Sequence, residues 1–266
     1  MKYPEYVIEN KNGRIILITD IHNCHIEWYK TQNDDRMQQM CDALKKEYTS
    51  KEYDCILALG DYSLDFWYYG IGGSYLHNPP VSRTEEFVQK YASQFPVTTY
   101  MLPGNHEQYG ESKWKEITGR EREFCLVYGE YVFVMMDTFA GLLDPKENSD
   151  GVYSGMNVDF LREVLEAHPE KKIILCAHYF DIEKESEDIK EIIVREKRIQ
   201  CVFVGHMHIS STVLLDESWR NLPVIFCGNY SYHLTDKSCG QWGYRILNLD
   251  GGPLRTNYIQ VNNEVL

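Results

Sequence analysis

The sequence predicts an α/β fold in which two β-sheets pack face to face and helices cover their outer sides. Strand and helix signals alternate through the first half of the chain, which is typical of a mostly parallel sheet. The C-terminal third is rich in strand candidates, namely STVLL, LPVIFCG, YRILNL and TNYIQV. The 266 residues contain no internal repeat and no linker-like composition, so we expect one domain over residues 1–266.

The first half predicts three strands and two helices in alternation. The strand RIILIT begins at Arg14 and precedes a helical stretch over about residues 34–48. The strand CILALG follows, then a helix near residues 84–94, then the strand VTTYMLP. These apolar runs are short and rich in β-branched residues, as buried strands are.

The middle of the chain predicts a hairpin and two further helices. Residues 124–128 and 131–136 are strand candidates separated only by Gly129 and Glu130. Residues 156–168 are amphipathic at helical spacing, and a charged helix near residues 186–195 separates the strands KIILCAH and QCVFVGHMH.

The segment over residues 62–80 is unusual because it combines six aromatic residues with three glycines. The glycines predict a loop rather than a strand. Two interpretations stay open: a compact loop packed on its own aromatic side chains, or a wall that recognises substrate.

Composition excludes several classes of protein. The formal net charge of −13 argues against nucleic-acid binding, which needs a basic face. No apolar run is long enough to span a membrane, and the polar N-terminus does not resemble a signal peptide. The eight cysteines form no CxxC pair and fall largely in strand-like runs, which predicts a reducing, cytoplasmic setting.

Five predicted strands end in side chains that bind metals. These side chains are Asp20, His22, Asp61, Asn105, His178, His206 and His208. Parallel strands deliver such residues to one sheet edge. Mixed oxygen and imidazole ligands suit manganese, iron(II) or zinc better than calcium. Seven ligands exceed the needs of one tetrahedral zinc but suit two ions, an arrangement that catalyses in-line displacement at phosphorus.

The order D-x-H, GD, GNHE, H, G-H-x-H resembles the calcineurin-like metallophosphoesterase superfamily. The resemblance implies a four-layer αββα sandwich with two mixed sheets packed face to face and helices outside. It implies one metal ion held by Asp20, His22 and His208, and a second held by Asn105, His178 and His206. Asp61 would bridge the two ions, and His106 would be the catalytic histidine.

The resemblance also implies the reaction, which is hydrolysis of a phosphomonoester or phosphodiester of a small molecule such as a nucleotide. Metal-activated hydroxide would attack phosphorus in line, and His106 would protonate the leaving group. The chain departs from the family's GDxxD pattern, because Leu64 stands where the second aspartate is expected and Asp65 follows it. Asp65, Glu107 and Asp137 are therefore candidates to orient His106. Candidate substrate contacts are Asn23, His25 and His233.

Two alternatives compete with a small-molecule phosphoesterase. A protein phosphatase is disfavoured because GDYSLDF lacks the arginine that follows the GD block in that branch. A catalytically silent scaffold of the same fold is disfavoured because all seven ligand candidates and His106 are present. No feature of the sequence predicts the oligomeric state.

Overall fold

The computed structural model describes residues 2–24, 27–67, 82–143 and 150–262. Within these ranges the chain forms two β-sheets and five α-helices. The strands are β1 (Glu5–Ile8), β2 (Arg14–Ile18), β3 (Cys55–Ala58), β4 (Thr99–Met101), β5 (Phe124–Tyr128), β6 (Tyr131–Met136), β7 (Lys172–Ala177), β8 (Ile199–Val204), β9 (Ser210–Leu214), β10 (Pro223–Cys227), β11 (Gly243–Asn248) and β12 (Arg255–Gln260).

Both sheets are mixed, as predicted. The smaller sheet has the order β12-β11-β2-β3-β4, with β2, β3 and β4 parallel and β11 antiparallel to both of its neighbours. The larger sheet has the order β1-β5-β6-β7-β8-β10-β9, with β6, β7, β8 and β10 parallel. The predicted hairpin is β5 and β6, which pair antiparallel.

The alternation of side chains along β2 shows how the layers are built. Ile15 and Leu17 point into a core between the two sheets, which contains only strand and strand-end residues such as Phe133 and Phe203. Ile16 and Ile18 point the other way, towards the helices. Successive residues of a strand face opposite sides, so a strand covered on both faces is apolar throughout.

Helices cover both outer faces. The smaller sheet is covered by α1 (Asn33–Ser50), α2 (Arg83–Glu86, continuing as a π-helical turn over Phe87–Tyr91 and a 3-10 turn over Ala92–Gln94) and α3 (Glu111–Thr118). The larger sheet is covered by α4 (Val158–Ala167) and α5 (Glu187–Arg195). The layers therefore follow the order αββα, which confirms the predicted fold class.

Two elements were not predicted from the sequence, namely β1 and α3. β1 lies at the edge of the larger sheet and pairs parallel with β5. α3 buries Trp114 and Ile117 but is otherwise polar. Among the described residues, no helix is both long and apolar enough to cross a membrane.

Candidate metal centre

The seven predicted ligands meet where five parallel strands end. Asp20 and His22 follow β2, Asp61 follows β3, and Asn105 follows β4. His178 follows β7, while His206 and His208 follow β8. The site therefore draws on the carboxyl ends of strands from both sheets, as expected for functional residues of α/β folds.

One group of potential ligands consists of Asp20, His22 and His208. His208 Nε2 lies 3.2 Å from Asp20 Oδ1, and the ring centroids of His22 and His208 are 5.0 Å apart. One potential ligand atom from each residue lies within 4.8 Å of the other two. The structure thus brings together the three residues that the resemblance assigns to one metal ion.

A second group contains Asn105, His178 and His206. Asn105 Oδ1 lies 3.0 Å from His178 Nε2 and 3.1 Å from His206 Nδ1. Asp61, His178 and His206 also have potential ligand atoms within 4.8 Å of one another. Oxygen and imidazole donors thus converge on a second point beside the first.

A single oxygen of Asp61 lies between the two groups. Asp61 Oδ2 is 3.5 Å from His22 Nε2 in the first group and 3.1 Å from His178 Nε2 in the second. Asp61 is almost fully buried, so this carboxylate has little access to water. Asp61 therefore places one carboxylate oxygen close to an imidazole of each group.

The backbone at this site is strained. Asp20, His22, Asp61, His206 and His208 have φ angles of 52°, 46°, 58°, 65° and 53°. Non-glycine residues seldom adopt this left-handed conformation, and each instance costs about 1–3 kcal/mol. Such strain is typical of functional sites.

Hydrogen bonds from neighbouring loops fix two of the imidazoles. His178 Nδ1 lies 2.7 Å from the Leu59 carbonyl, and His208 Nδ1 contacts the Tyr232 carbonyl. These contacts direct Nε2 of each ring towards the carboxylates, as outer contacts do for metal-binding histidines.

Arg36 supports the backbone of the loop after β2. Its buried guanidinium donates to the carbonyls of Ile21 (2.6 Å) and His22 (2.7 Å) and also contacts the Tyr230 carbonyl. Arg36 therefore holds together the backbone of two loops beside the first ligand group.

The protonation states of the imidazoles suit a metal site. Burial lowers the pKa of His22 to about 3. Burial and the neighbouring His178 lower the pKa of His206 to about 4. Burial also lowers the pKa of His178, but Asp61 and Asp20 outweigh it and raise that pKa to about 9. Two neutral imidazoles are ready ligands, and a metal displaces a proton from the third.

The donor groups fit two divalent metal ions. Both ring nitrogens of His22 are buried without a hydrogen-bond partner among the described residues. Buried polar atoms are nearly always satisfied, so this imidazole lacks the partner that a metal ion would supply. The surrounding carboxylate, amide and imidazole donors are those of manganese, iron and zinc sites.

His106 lies beside the ligand candidates. Its Nε2 is 3.8 Å from Asp61 Oδ2 and 3.6 Å from Asp150 Oδ1. Its backbone N–H donates to Asp61 Oδ1 (3.1 Å). The buried Nδ1 has no hydrogen-bond partner in the described part of the chain.

The three carboxylates that are candidates to orient His106 make hydrogen bonds to other groups. Asp65 accepts from the backbone N–H groups of Arg83 (3.0 Å) and Thr84 (3.2 Å), so it holds the start of α2. Asp137 pairs with Arg122 at 2.6 Å. Because of the extra residue before it, the Asp65 carboxylate binds the backbone at the start of α2.

Glu107 fastens two ligand loops together. It is fully buried and accepts hydrogen bonds from the backbone N–H groups of Asp61 (2.8 Å), Tyr62 (2.9 Å) and Gly104 (2.9 Å). Burial and the neighbouring Asp61 raise the pKa of Glu107 to about 8. Its carboxylate supports the loops after β3 and β4 and makes no hydrogen bond to His106.

The candidate substrate contacts have different placements. Asn23 is buried and donates to the Arg83 carbonyl (2.9 Å), away from the pocket. His233 lies in the loop after β10 but does not line the pocket, and its buried Nε2 has no hydrogen-bond partner in the described ranges. His25 lies outside the described residues.

A pocket of about 250 Å³ opens over the centre. Besides ligand candidates and His106, its wall contains Trp67, Asp150, Tyr232, Leu234 and Lys237. Asp150 accepts from Asn105 Nδ2 through its carbonyl (3.0 Å) and its side chain (3.2 Å). Sequence reasoning missed Asp150 and Lys237, because isolated charged residues in loops carry no periodic or spacing signal.

In the aromatic segment over residues 62–80, one described side chain packs in the core and another lines the pocket. Tyr62 is fully buried and stacks on Phe87 at 5.5 Å, so it belongs to the core. Trp67 lines the pocket, and its ring centroid lies 6.1 Å from that of His106. Residues 68–80 of this segment lie outside the described residues.

Comparisons with known proteins agree with this geometry. Residues 13–210 match a family model described as calcineurin-like phosphoesterase. A 3',5'-cyclic-nucleotide phosphodiesterase of Nostoc sp. (strain PCC 7120) is 24% identical over 210 residues, covering 73% of this chain and 71% of the relative.

A solved structure shares the fold. Purple acid phosphatase PPD1 from yellow lupin (Lupinus luteus) seeds superposes with a TM-score of 0.55 at 13% identity, over 96% of this chain. The matched region spans only 52% of the lupin chain, about half its length. At this identity the likeness concerns the fold alone.

Proposed function

Because the chain belongs to the calcineurin-like phosphoesterase family, we propose that its clustered side chains bind two divalent metal ions and that the centre hydrolyses a small-molecule phosphoester. Asp20, His22 and His208 hold one ion. Asn105, His178 and His206 hold the other. Asp61 bridges them.

One observation carries this proposal, which is the position of Asp61 Oδ2. It lies within 3.5 Å of an imidazole nitrogen from each ligand group, at 3.5 Å and 3.1 Å. Two separate mononuclear sites would not need a shared, buried oxygen. The donor set favours manganese, iron or zinc.

When bound, two such ions lower the pKa of a water molecule and neutralise charge on the phosphoryl oxygens. The chain's own contribution at this centre is His106. Its Nε2 lies 3.8 Å from Asp61 Oδ2 and 3.6 Å from Asp150 Oδ1. We assign His106 the donation of a proton from Nε2 to the leaving-group oxygen.

The pocket favours a small substrate. Its volume of about 250 Å³ is close to the lower end of ordinary ligand sites. The acidic chain disfavours nucleic acid. The Nostoc relative acts on cyclic nucleotides by its description, so a diester is the first substrate class to test. Monoesters remain the second class.

The test is hydrolysis by the purified chain after loading with Mn²⁺, Fe²⁺ or Zn²⁺ separately. The substrates are bis(p-nitrophenyl) phosphate, p-nitrophenyl phosphate and a 3',5'-cyclic nucleotide. We expect turnover of at least one substrate, and His22→Ala should lower it by about 100-fold.

His168→Ala is the matched control, because His168 pairs with Glu5 at 2.8 Å and does not line the pocket. It should keep the parent's rate. Absence of turnover with every metal and every substrate would contradict the proposal.

A further inference from the structure

Lys237 brings a positive charge to the wall of the metal pocket. Among the described residues that line this pocket, it is the only lysine or arginine. Its φ of 58° is left-handed, a conformation that lysine seldom adopts. The backbone N–H of Lys237 donates to the His233 carbonyl (3.1 Å), and that of His233 donates to the Ser238 carbonyl (2.9 Å). A hydrogen-bonded turn therefore presents this side chain at the pocket.

The charge of Lys237 is not neutralised by a carboxylate. No Asp or Glu oxygen lies within 4.0 Å of its Nζ in the described part of the chain, although Lys90, Lys115 and others there are paired. The adjacent Asp236 instead accepts from the backbone N–H (2.9 Å) and hydroxyl (2.8 Å) of Ser238. In a chain with 40 acidic residues, an unpaired ammonium at a pocket wall is available to an anion.

Two aromatic rings hold the ammonium in place. Lys237 Nζ lies 5.4 Å from the ring centroid of Trp28 and 5.1 Å from that of Tyr232. Cation–π contacts of this kind position an ammonium and leave its three N–H donors free to bind an acceptor.

A series of ring contacts relates the position of Lys237 to that of His106. Tyr232, which touches Lys237, lies 5.3 Å from the ring of His22. His22 lies 5.4 Å from His106, and His106 lies 6.1 Å from Trp67. Trp67 therefore contacts His106, while Lys237 contacts Tyr232, which packs against His22.

These contacts distinguish two sides of a bound phosphoester, one at His106 and one at Lys237. His106 donates its proton to the leaving group, so the leaving group departs on the side of Trp67. The part of the substrate that stays bonded to phosphorus then extends towards Tyr232 and Lys237. Because the two proposed ions would neutralise the reacting phosphate, we assign Lys237 to a second anionic group of the substrate.

We propose that Lys237 forms a second anion-binding subsite, which takes a carboxylate or a second phosphate on the retained part of the substrate. The inference rests on the proposed function and narrows its substrate class to phosphodiesters that carry an additional acidic group. An ammonium donating to an anionic oxygen makes one of the stronger hydrogen bonds in proteins.

The test uses two p-nitrophenyl phosphodiesters with the same leaving group. Their second alcohol is 5-hydroxypentanoic acid in one and its methyl ester in the other, so they differ in the retained charge and in one methyl group. The metal-loaded parent should favour the acid by about tenfold in kcat/KM, chiefly through KM. The preference should shrink as ionic strength rises.

Lys237→Met should reduce this preference to about one, while Lys237→Arg should keep most of it. Lys190→Met is the matched control, because Lys190 also lies over an aromatic ring, 5.5 Å from Trp219, but is remote from the pocket. It should leave both rates unchanged. If Lys237→Met does not fold, Lys237→Gln gives the same comparison.

The inference is overturned if the parent hydrolyses both esters equally well, or if Lys237→Met keeps the preference. Either result leaves the proposed function standing. If the metal-loaded parent hydrolyses neither ester and no simple nitrophenyl diester, the proposed function itself fails, and the subsite fails with it.

Discussion

His106 differs from its histidine neighbours in what its ring nitrogens contact. The Nδ1 atoms of His178 and His208 face backbone carbonyls, whereas the Nδ1 of His106 is buried without a partner in the described part of the chain. Its Nε2 faces the carboxylates of Asp61 and Asp150. A side chain held beside the ligands and next to negative charge is suited to carry a proton.

The first prediction concerns this proton. His106→Ala should retain both metal ions, since His106 is not among the seven proposed ligands. It should lower kcat by about 10²–10⁴-fold for alkyl leaving groups and much less for p-nitrophenol, which leaves without a proton. The measurement is kcat against leaving-group pKa together with metal content, with His168→Ala as control. Loss of a metal ion would mean that His106 is a ligand.

Single residues differ in how far sequence could predict them. The seven ligand candidates were predictable because each follows a strand. The sequence placed them at one sheet edge, whereas the structure draws them from the strand ends of both sheets. Asp150 and Lys237 were not, because their loops come near the centre only in the folded chain. Asp65 was predicted as an orienter from its spacing, but one extra residue directs its carboxylate to the backbone of α2.

The loops after β3 and β4 form one close-packed element. Glu107 ties them together through backbone N–H groups of both loops. A Cβ at Gly104 would lie 2.1 Å from Asp61 Oδ1 and 2.6 Å from the Asp61 backbone nitrogen. Any side chain there would push the proposed bridging carboxylate out of place.

The second prediction follows from this contact. Gly104→Ala should reduce metal affinity and activity by about 10–100-fold, the range seen when groups that orient ligands are disturbed. Gly110→Ala is the matched control, since a Cβ at Gly110 meets nothing within 4 Å. Metal titration and kcat/KM are the measurements. Equal behaviour of the two variants would show that the loops tolerate a shift of Asp61.

Elements were predictable where hydrophobic periodicity was strong. β2, β3, β7 and β8 are apolar nearly throughout because both faces are covered, and all four were predicted. β1 was missed because, as an edge strand, it exposes two of its four residues and reads as polar. α3 was missed because only Trp114 and Ile117 of its eight residues are buried.

At the scale of the whole molecule, the centre joins the two sheets. Each proposed half-site takes residues from both. Asp20 and His22 of the smaller sheet meet His208 of the larger one, and Asn105 meets His178 and His206. Since the inter-sheet core also draws on both sheets, we propose that the chain unfolds as one domain and that bound ions stabilise it.

The third prediction concerns pH and global stability. Burial raises the pKa of Glu123 from 4.5 to about 7. Between these values the folded chain binds more protons than the unfolded chain, so stability falls as pH rises through this range. Glu123→Gln removes that loss, on the order of 3 kcal/mol at pH 8. The difference in Tm between Glu123→Gln and the parent should therefore grow from pH 5 to pH 8.

The control for this series is Glu52→Gln, which replaces an exposed carboxylate. Its Tm difference from the parent should stay constant across the same range. A Glu123→Gln curve parallel to that of the parent would show that Glu123 is ionised in the folded chain at pH 5.

The central claim is that Asp61 joins two metal ions in one centre. Its most direct measurement is a Mn²⁺ titration of the metal-free chain, with metal content and electron paramagnetic resonance recorded together. We expect the chain to bind two ions with an exchange-coupled spectrum, and we expect Asp61→Asn to lose the coupling. Binding of a single ion, or of two ions with independent spectra, would contradict it.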